Sequence, residues 1–506
     1  MVAGAMDQLD ESALRAAETY WRDSFFQMKP ASLNPGQMQA ELRSILEFWG
    51  DPDRELYVYH IAGSNAKGSI AAYAAACLAF SGLRVGLFTS PYVERFGERI
   101  RFYSGREAYI AAEKSPAEVE ISERECIEYL ARIFMAIDLL GFDRSNYSHF
   151  HYLTLIAILF FSKREAEVIV FETGLGGLWD ATNVILSQKT VLIGPISYDH
   201  CQILGNTISE IAAQKAGIIR PKSRVFLYEP EDTNLSPEEA AIVNRTFLEH
   251  CRAYDLDLTR VSSRDYRRLD AGLWGQRFEL AGVDAEFQTR LLGDFQAHNA
   301  SLVLRAILSD PLFIARFSKR GSEWLDQLVA GIQHADLPGR IDCLGEDPML
   351  IVDGAHNPQA VDSLLRNVSD ILANRSVDLL ISLNRDKAYA EIIRTIYQCK
   401  TLNIRKIYAL APASVRCFSV SELLDLLETE AVKQGRILKS AKLSENGSLR
   451  EALPELGQLS SPEDIEAYFR YTREVGVASV AFGSFFCIAP IKQAYQKIHA
   501  SEQREK

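Results

Sequence analysis

The chain has 506 residues, more than one hydrophobic core usually organises, so more than one domain is expected. Hydrophobic residues make up 47% and charged residues 24%, which excludes a disordered chain and a membrane-embedded one. The formal net charge of −12 argues against broad nucleic-acid binding, which needs an excess of Lys and Arg to face phosphates. It leaves room for a local pocket for small anions.

The cysteines and the first residues of the chain indicate where the protein acts. The eight cysteines are scattered, without a C-x-x-C pair or zinc-like spacing, as is typical of reduced thiols in a cytosolic protein. Met1–Glu18 is acidic and lacks an apolar stretch, so we expect neither a signal peptide nor a transit peptide. No apolar run approaches the length of a membrane span. The prediction is a cytoplasmic protein.

Strands and helices alternate after an N-terminal helical stretch. Leu56–Ala62 is predicted to be a buried strand, and the alanine-rich run Ser69–Phe80 a helix that stops at Gly82. Further predicted strands are Leu83–Phe88, Val168–Phe171 and Val191–Ile196. This alternation predicts an α/β domain with a mainly parallel sheet covered by helices. The polar segment Tyr103–Glu120 has no pattern and is predicted to be a surface insertion of unassigned role.

The same alternation restarts late in the chain and predicts a second, smaller α/β domain. Its predicted strands are Met349–Val352, Leu379–Ser382, Ile407–Leu410 and Val477–Phe482. Its predicted helices are Ala388–Tyr397, Val420–Lys433 and Pro462–Arg473. A Pro-Gly pair within Asp336–Arg340 predicts the hinge, which gives an N-terminal domain of residues 1–337 and a C-terminal domain of residues 338–506.

The loop between the first strand and its helix is a candidate phosphate site. A loop in this position can direct backbone N–H groups at a phosphate, and the helix N-terminus adds partial positive charge. Lys67 would supply a mobile cation and Ser69 a hydroxyl for Mg²⁺. The spelling departs from G-x-x-x-x-G-K-[ST], and a tight turn without a ligand is the alternative. The candidate residues are Gly63, Ser64, Asn65, Ala66, Lys67, Gly68 and Ser69.

Three polar residues further along the chain are candidates for the same edge of the sheet. Glu172 ends an apolar strand and precedes a glycine-rich loop that permits close backbone approach. His200 follows a strand, and Lys215 lies among small residues on a predicted helix. Taken singly, these residues are more often a solvated strand end, a structural histidine and a surface lysine.

Several motifs together resemble one protein family in their order along the chain. They are HIAGSNAKGS, LFTSP, RFGERIRF, FETGLGGLWDATN (Phe171–Asn183), DHCQILGNTISEIAAQKAGII (Asp199–Ile219) and LPGR…IVDGAHNP (Leu337–Pro358). These motifs resemble the folylpolyglutamate/dihydrofolate synthases of the Mur-ligase superfamily. The resemblance implies a P-loop-type domain that binds ATP and magnesium, followed by a smaller Rossmann-like, glutamate-ligase-type domain.

The resemblance also implies an activity and its partners. The activity is ATP-dependent addition of L-glutamate to a folate or dihydropteroate carboxylate through an acyl phosphate. The implied substrates are ATP, L-glutamate and the pterin acceptor, with no nucleic acid or membrane partner, and the implied state is a monomer. Phosphoryl transfer of this kind needs positioning and charge neutralisation more than a protein nucleophile.

Residue roles follow from the matching positions. The resemblance implies that Ser69, Glu172, His200 and Lys215 hold Mg²⁺, with two ions expected and Lys215 carbamylated by CO₂. Lys67, Glu172, His200 and Lys215 are the implied catalytic residues. The implied nucleotide contacts are Gln296 and Asn299 in DFQAHNA, Arg340 after the Pro-Gly pair, and Asp353 and His356 in DGAHNP. Without the resemblance, DFQAHNA would be an ordinary polar helix start, and Arg340 would form an interdomain salt bridge.

Four positions depart from the usual family pattern. Ala66 replaces a glycine, Tyr92 a histidine, Leu178 an arginine and Phe295 a histidine. The metal set is intact, which favours retained ATP chemistry. Two alternatives stay open: another Mur-type ligase that adds an amino acid to a UDP-muramyl precursor, and a degenerate member that binds nucleotide or pterin without ligation.

Overall fold

The computed structural model describes residues 11–25, 33–187, 189–317, 323–372, 375–410, 412, 414, 416–434 and 455–503. The chain forms two compact units. The first comprises Met1–Leu269, Arg277–Thr289 and Ala297–Asp336, and the second comprises Asp270–Gln276, Arg290–Gln296 and Leu337–Lys506. Within the described residues, none of the helices has both the length and the apolar character required to cross a bilayer.

The first unit is built on a mainly parallel sheet, as predicted. Its strands are β1 (Tyr57–Ala62), β2 (Val85–Phe88), β3 (Ile100–Tyr103), β4 (Val168–Glu172), β5 (Lys189–Ile193), β6 (Arg224–Tyr228) and β7 (Leu258–Val261). The strand order is β3-β2-β4-β1-β5-β6-β7, and only β3 runs antiparallel to its neighbour. The central strands are continuous apolar runs because both faces are covered. Their carboxyl ends share one edge.

Helices pack on this sheet. They are α1 (Glu11–Asp23), α2 (Pro35–Phe48), α3 (Lys67–Phe80), α4 (Arg106–Ala112), α5 (Glu123–Leu139), α6 (His149–Lys163), α7 (Cys201–Leu204), α8 (Ile208–Ala216), α9 (Pro237–Arg252), α10 (Gln296–Leu308), α11 (Pro311–Phe317) and α12 (Glu323–His334). Helix α3 is buried from Gly68 to its last residue, which accounts for its alanine-rich sequence: it is apolar on every side. Its N-terminus lies at the carboxyl edge of the sheet, directly after β1.

The segment Tyr103–Glu120, predicted to be a surface insertion without a pattern, is mostly exposed or half-buried but contains a helix that the sequence did not predict. The segment contains α4, and its aromatic rings Tyr103 and Tyr109 are buried with centroids 4.6 Å apart. Its end pairs with the start of the segment, since the Phe102 N–H donates to the Val119 carbonyl at 2.8 Å. Its buried apolar residues are Tyr103, Tyr109 and Val119, and such wide spacing leaves no helical or strand periodicity in the sequence.

A small sheet was not predicted. It consists of β8 (Tyr266–Gly272), β9 (Gly275–Leu280) and β10 (Glu286–Thr289), in the order β10-β9-β8. Strand β8 exposes two successive arginines and has little apolar alternation, so the sequence pattern that identifies a strand is weak there.

The second unit has its own sheet and its own core. Its strands are β11 (Asp342–Glu346), β12 (Met349–Val352), β13 (Ser376–Ile381), β14 (Asn403–Leu410), β15 (Glu455–Leu459) and β16 (Ala478–Phe482), in the order β11-β12-β16-β13-β14-β15. Only β11 is antiparallel to its neighbour. Its helices are α13 (Pro358–Leu372), α14 (Tyr389–Gln398), α15 (Val420–Lys433), α16 (Pro462–Val475) and α17 (Ile488–Gln503). Leu292 and Phe295 pack with this core, so the second unit includes a segment that precedes the predicted hinge.

Candidate active site

The loop between β1 and α3 is tight at both ends. A β-carbon added to Gly63 would lie 3.0 Å from the Asn65 carbonyl oxygen and 3.1 Å from the Gly194 Cα, so a side chain has no room there. Ala66 has φ 64°, in the left-handed region that disfavours a residue with a β-carbon. The position at which the resemblance implies a glycine therefore has a glycine-like conformation, and this chain adopts it with an alanine.

The segment after β5 holds this loop in place. The N–H groups of Ser64 and Asn65 both donate to the Pro195 carbonyl, at 2.9 and 3.3 Å. The Ser64 hydroxyl donates to the Ser197 carbonyl at 2.7 Å and accepts the Ser197 N–H at 2.9 Å. Ser64 and Asn65 thus use their backbone N–H groups to stabilise the loop. The N–H groups suited to a phosphate are those at the start of α3, since the first turn of a helix has no internal acceptors for them.

Two lysines converge on one carbonyl oxygen. Lys67 donates to the Gly63 carbonyl at 3.1 Å, and Lys215 donates to the same oxygen at 3.0 Å. Lys215 lies on α8 and is buried, so it is not the surface charge that its helical position would ordinarily indicate. Burial, and next the charge of Lys67, lower the pKa of Lys215 to about 7, while Asp199 and Asp180 oppose the shift.

Glu172 and His200 reach the same edge from the two strands that flank β1, since Glu172 ends β4 and His200 follows β5. Glu172 is buried at the end of β4, where Oε2 accepts the Ser90 N–H at 3.0 Å. In the sheet, Glu172 is the register partner of Ile61, two residues before Gly63. His200 comes three residues after Ser197, with Nε2 3.8 Å from Asp199 Oδ2. The structure therefore brings the loop between β1 and α3, Glu172, Lys215 and the His200 segment to one edge of the sheet.

The glycine-rich loop after β4 packs directly on α8 beside Lys215. A β-carbon on Gly177 would lie 2.7 Å from the Gln214 carbonyl oxygen and 3.1 Å from the Lys215 Cα. A β-carbon on Gly217 would overlap Leu178. The Leu178 N–H donates to the Gln214 carbonyl at 2.6 Å. Leu178, which replaces the usual arginine, therefore joins the loop to the helix through its backbone.

Two residues of the same motif organise this loop, and the sequence had not assigned them a role. The Asp180 carboxylate accepts the Leu175 N–H at 2.8 Å and the Thr182 hydroxyl at 2.6 Å. The Asn183 side-chain amide donates to the carbonyls of Leu178 and Gly217, both at 3.0 Å. Asn183 thereby joins the glycine-rich loop to the end of α8. An aspartate and an asparagine shortly after a glycine run are the sequence feature that could have indicated these roles, because polar side chains that become buried there need hydrogen-bond partners.

The donor set at this edge fits a magnesium ion bound together with phosphate. Glu172 and Ser69 offer hard oxygen atoms, and His200 offers an imidazole nitrogen. Among the described residues, no group of three His, Cys, Asp or Glu side chains is arranged to hold a metal ion. Mg²⁺ commonly keeps waters and takes substrate phosphate oxygens instead of an all-protein cage, so a sparse carboxylate set suits it.

In the second unit, Arg340 and the DGAHNP loop form one cluster. The Arg340 guanidinium carbon lies 4.3 Å from the centroid of the Phe485 ring. The buried Asp353 carboxylate accepts the Ile341 N–H at 2.7 Å and the Ala355 N–H at 2.6 Å. Burial raises the pKa of Asp353, and the Arg340 charge opposes that rise. Asp353 thus holds the loop that carries Arg340.

The other predicted nucleotide contacts lie in the same loop and on α10. His356 lies in the same loop, with Nδ1 2.7 Å from the Gly354 carbonyl oxygen. Gln296 and Asn299 lie on α10 with no exposed surface, and the Gln296 N–H donates to the Gly293 carbonyl at 3.0 Å. Phe295, which replaces a histidine of the family pattern, packs against the core of the second unit.

Comparison with known proteins places the chain in a family. A scan against models of protein families matches none. The dihydrofolate synthase/folylpolyglutamate synthase of Bacillus subtilis is 30% identical over 379 residues, which cover 73% of this chain and 79% of the relative. A Mycobacterium tuberculosis folylpolyglutamate synthase complexed with ADP and AMPPCP superposes with a TM-score of 0.72 at 22% identity, covering 96% of this chain and 98% of that chain.

A second solved structure has the same fold. The bifunctional folylpolyglutamate synthase/dihydrofolate synthase of Yersinia pestis, complexed with AMPPNP and a Mn ion, has a TM-score of 0.65 at 21% identity, covering 96% of this chain and 98% of that chain. The predicted α/β fold class and the predicted family are both confirmed. The chain belongs to the folylpolyglutamate/dihydrofolate synthase family.

Proposed function

We propose that this protein is an ATP- and Mg²⁺-dependent ligase that joins L-glutamate to the carboxylate of dihydropteroate or folate. The observation that carries the proposal is the convergence of Lys67 and Lys215 on the Gly63 carbonyl, at the sheet edge where the buried Glu172 ends β4. The Bacillus subtilis relative carries both activities in its name. Nucleotide and a divalent ion are named together for the Yersinia pestis structure.

The chain's own residues suit phosphoryl transfer from ATP to a carboxylate. The start of α3 and Lys67 hold the triphosphate, while Ser69, Glu172 and His200 hold the metal. When bound, Mg²⁺ offsets the charge that accumulates where the carboxylate and the phosphates meet. The acceptor carboxylate attacks the γ-phosphorus, which gives an acyl phosphate and ADP. The glutamate amine then attacks the acyl carbon, loses a proton and expels phosphate.

We further propose that Lys215 is carbamylated and that a second Mg²⁺ binds beside it. Its burial next to Lys67 supports this, because two ammonium groups on one carbonyl repel each other in a poorly solvated site. Addition of CO₂ would replace one of these charges with an anionic carbamate. The carbamate oxygens would also add hard ligands to an otherwise sparse set.

The remaining proposals concern the two domains, the nucleotide contacts and the state of the protein in the cell. Residues 1–337 would bind ATP and Mg²⁺, and residues 338–506 would form the glutamate-ligase-type domain. Arg340 would contact phosphate through its planar donor fork, with Asp353 holding its loop and His356 beside it. Gln296 and Asn299 would line the adenine side. The eight free thiols are compatible with a cytoplasmic protein, and a monomer is the proposed state.

The test is phosphate release from Mg·ATP with L-glutamate and one of three acceptors: dihydropteroate, tetrahydrofolate or a UDP-muramyl precursor. Release that requires both a pterin and glutamate is expected, and the preferred pterin reveals which glutamate is added. Release with the UDP-muramyl acceptor alone would identify another Mur-type ligase. ATP binding without phosphate release with any acceptor would identify a degenerate member that binds nucleotide without ligation. The strained conformation of Ala66 would then be a candidate cause of the lost activity.

Glu172→Gln tests the residue assignment in the same assay. Loss of a carboxylate that holds the metal is expected to slow glutamate-dependent phosphate release by roughly 100-fold or more. The matched control is Glu167→Gln, immediately before the opposite end of β4, where the carboxylate accepts the Arg84 N–H at 3.0 Å. This control should keep its activity. Unchanged release by Glu172→Gln would overturn the assignment of Glu172.

A further inference from the structure

Arg99 is connected to Glu172 by two backbone hydrogen bonds of the segment Thr89–Ser90. The Arg99 carbonyl accepts the Thr89 N–H at 3.0 Å, and the next residue, Ser90, donates its N–H to Glu172 Oε2 at 3.0 Å. The Arg99 guanidinium carbon lies 5.2 Å from the centroid of the Tyr92 ring, and its charge acts on Glu172. Arg99 is therefore a cation at the edge of the sheet where ATP chemistry is proposed.

The charge of Arg99 is poorly compensated by the protein. Its Nε is buried and makes no hydrogen bond to any atom of the described residues. Burial lowers the pKa of Arg99, which reflects the cost of keeping the charged form out of water. Arg95, in the same loop, makes two hydrogen bonds to Glu120, at 3.1 and 2.9 Å. Arg99 is half-buried, and a guanidinium partly removed from water without such a partner is costly unless a ligand supplies one.

The two carboxylates near Arg99 have other commitments. Glu98 accepts the backbone N–H groups of Val93, Glu94 and Arg95, at 2.8, 3.1 and 2.9 Å. Glu172 accepts the Ser90 N–H and is the proposed metal ligand. A cation bound to Glu172 would leave Arg99 and the metal as adjacent positive charges. An anionic substrate group would offset that charge, and charge-assisted hydrogen bonds to it are among the strong ones.

We propose that Arg99 binds the acceptor carboxylate that ATP phosphorylates, with Tyr92 as a positioning residue that holds the guanidinium. The planar donor fork of arginine matches a carboxylate, and stacking on an aromatic face keeps it oriented. This assignment rests on the proposed ligase function. It also gives Tyr92, a departure from the family pattern, a role in this chain.

The experiment compares dihydropteroate with its carboxamide analogue, in which the reacting carboxylate is neutral. Their affinities are measured by calorimetry on the full chain with Mg·ADP, for the wild type and Arg99→Gln. The wild type should bind the carboxylate roughly 10- to 100-fold more tightly than the carboxamide, as a charge-assisted contact predicts. Arg99→Gln should bind both about equally, with ADP affinity unchanged, because only the carboxylate contact is lost.

Matched variants separate substrate binding from structural support. Arg95→Gln removes an exposed arginine of the same loop and should keep the discrimination. Tyr92→Phe should keep it and Tyr92→Ala should weaken it, because only the first retains the ring. If Arg99→Gln does not fold, Arg99→Lys keeps a charge without the fork and should still lose discrimination.

Three outcomes would overturn the proposal. Equal weakening of both ligands by the Arg99 variants would mean that Arg99 only supports the fold or the metal. Discrimination that survives every Arg99 variant would mean that another group binds the carboxylate. Failure of the wild type to bind either pterin while it binds Mg·ADP would overturn the proposed function, and the Arg99 assignment with it.

Discussion

At the scale of single residues, Ala66 adopts a conformation that its own β-carbon penalises. Its φ of 64° lies where glycine is the default residue, and it immediately precedes α3. The left-handed region costs an L-residue roughly 1–2 kcal/mol, and glycine loses part of that advantage through the greater entropy of the unfolded chain. The loop between β1 and α3 is therefore strained at one position.

Ala66→Gly should relieve this strain. We expect the free energy of unfolding to rise by about 1 kcal/mol, measured by urea denaturation. The control is Ala72→Gly in the interior of α3, which should lose about 1 kcal/mol or more, since glycine disfavours a helix interior. A loss of stability in Ala66→Gly would contradict the left-handed conformation of residue 66.

Single residues also mark what the sequence could not reveal about the site. Ser69, Glu172, His200 and Lys215 could be selected by resemblance, and strand ends correctly indicated a common edge for Glu172 and the phosphate loop. The burial of Lys215 could not be predicted, because it depends on Gly177 and Gly217 bringing a distant loop against α8. The poorly compensated Arg99 was equally hidden, since its exposure and partners arise from tertiary packing.

At the scale of elements, α6 begins with a cap that depends on pH. Ser148 and His151 form a capping box in which His151 Nδ1 accepts the Ser148 N–H at 3.0 Å. Only a neutral imidazole nitrogen can accept that hydrogen bond. Burial, and next the neighbouring His149, lower the pKa of His151 from 6.5 to about 4.

The sign of the resulting pH dependence follows from that depressed pKa. Above pH 6.5 the ring is neutral in both states, and the stabilisation is complete. As the pH falls from 6.5 towards 4, the unfolded chain binds a proton first and stability is lost. At pH 5.5 the loss should be about 1 kcal/mol. Burial also lowers the pKa of His60 and His298, so both proteins should lose stability between pH 7.5 and 5.5. Urea denaturation should show a loss about 1 kcal/mol larger in the wild type than in His151→Gln, which keeps the cap; equal losses would contradict the prediction.

Elements with strong apolar patterns were predictable. The bounds of β12 and α15 agree with the sequence-based prediction, because each has a continuous or strongly periodic apolar pattern. Helix α4 and strand β8 were missed. Their apolar contacts are sparse, and what stabilises them is packing against residues distant in the sequence.

At the scale of the whole molecule, the two units have separate hydrophobic cores. One cluster comprises residues from α1 to β4 and nearby turns, whereas another draws on β12, β13, β14 and the helices of the second unit. Separate cores can unfold in separate steps, which departs from two-state behaviour. The domain organisation could be predicted because the α/β alternation restarts, but segments 270–276 and 290–296 could not be assigned without tertiary contacts.

Heat unfolding should therefore not follow a single two-state transition. Differential scanning calorimetry should give a calorimetric enthalpy larger than the van't Hoff enthalpy. Hydrogen exchange should identify the transition in which the segment Gly63–Ile70 opens. Mg·ADP should raise the temperature of that transition, because a ligand stabilises the state that binds it. An enthalpy ratio of one, with all segments opening together, would contradict this prediction.

The link between Ser64 and Ser197 has a consequence for how this protein can diverge. Ser64 contributes its hydroxyl, whereas Ser197 enters the pair with its backbone carbonyl and N–H alone. Mutational drift at position 197 therefore leaves the pair intact, while replacement of Ser64 by alanine removes both hydrogen bonds at once. Position 197 should therefore tolerate substitution better than position 64, at the cost of the hydrogen bond that the Ser197 hydroxyl accepts from the Asn65 side-chain amide at 3.2 Å. Gly194 in the same segment should resist change, because a β-carbon there would lie 2.8 Å from the Asn65 carbonyl oxygen.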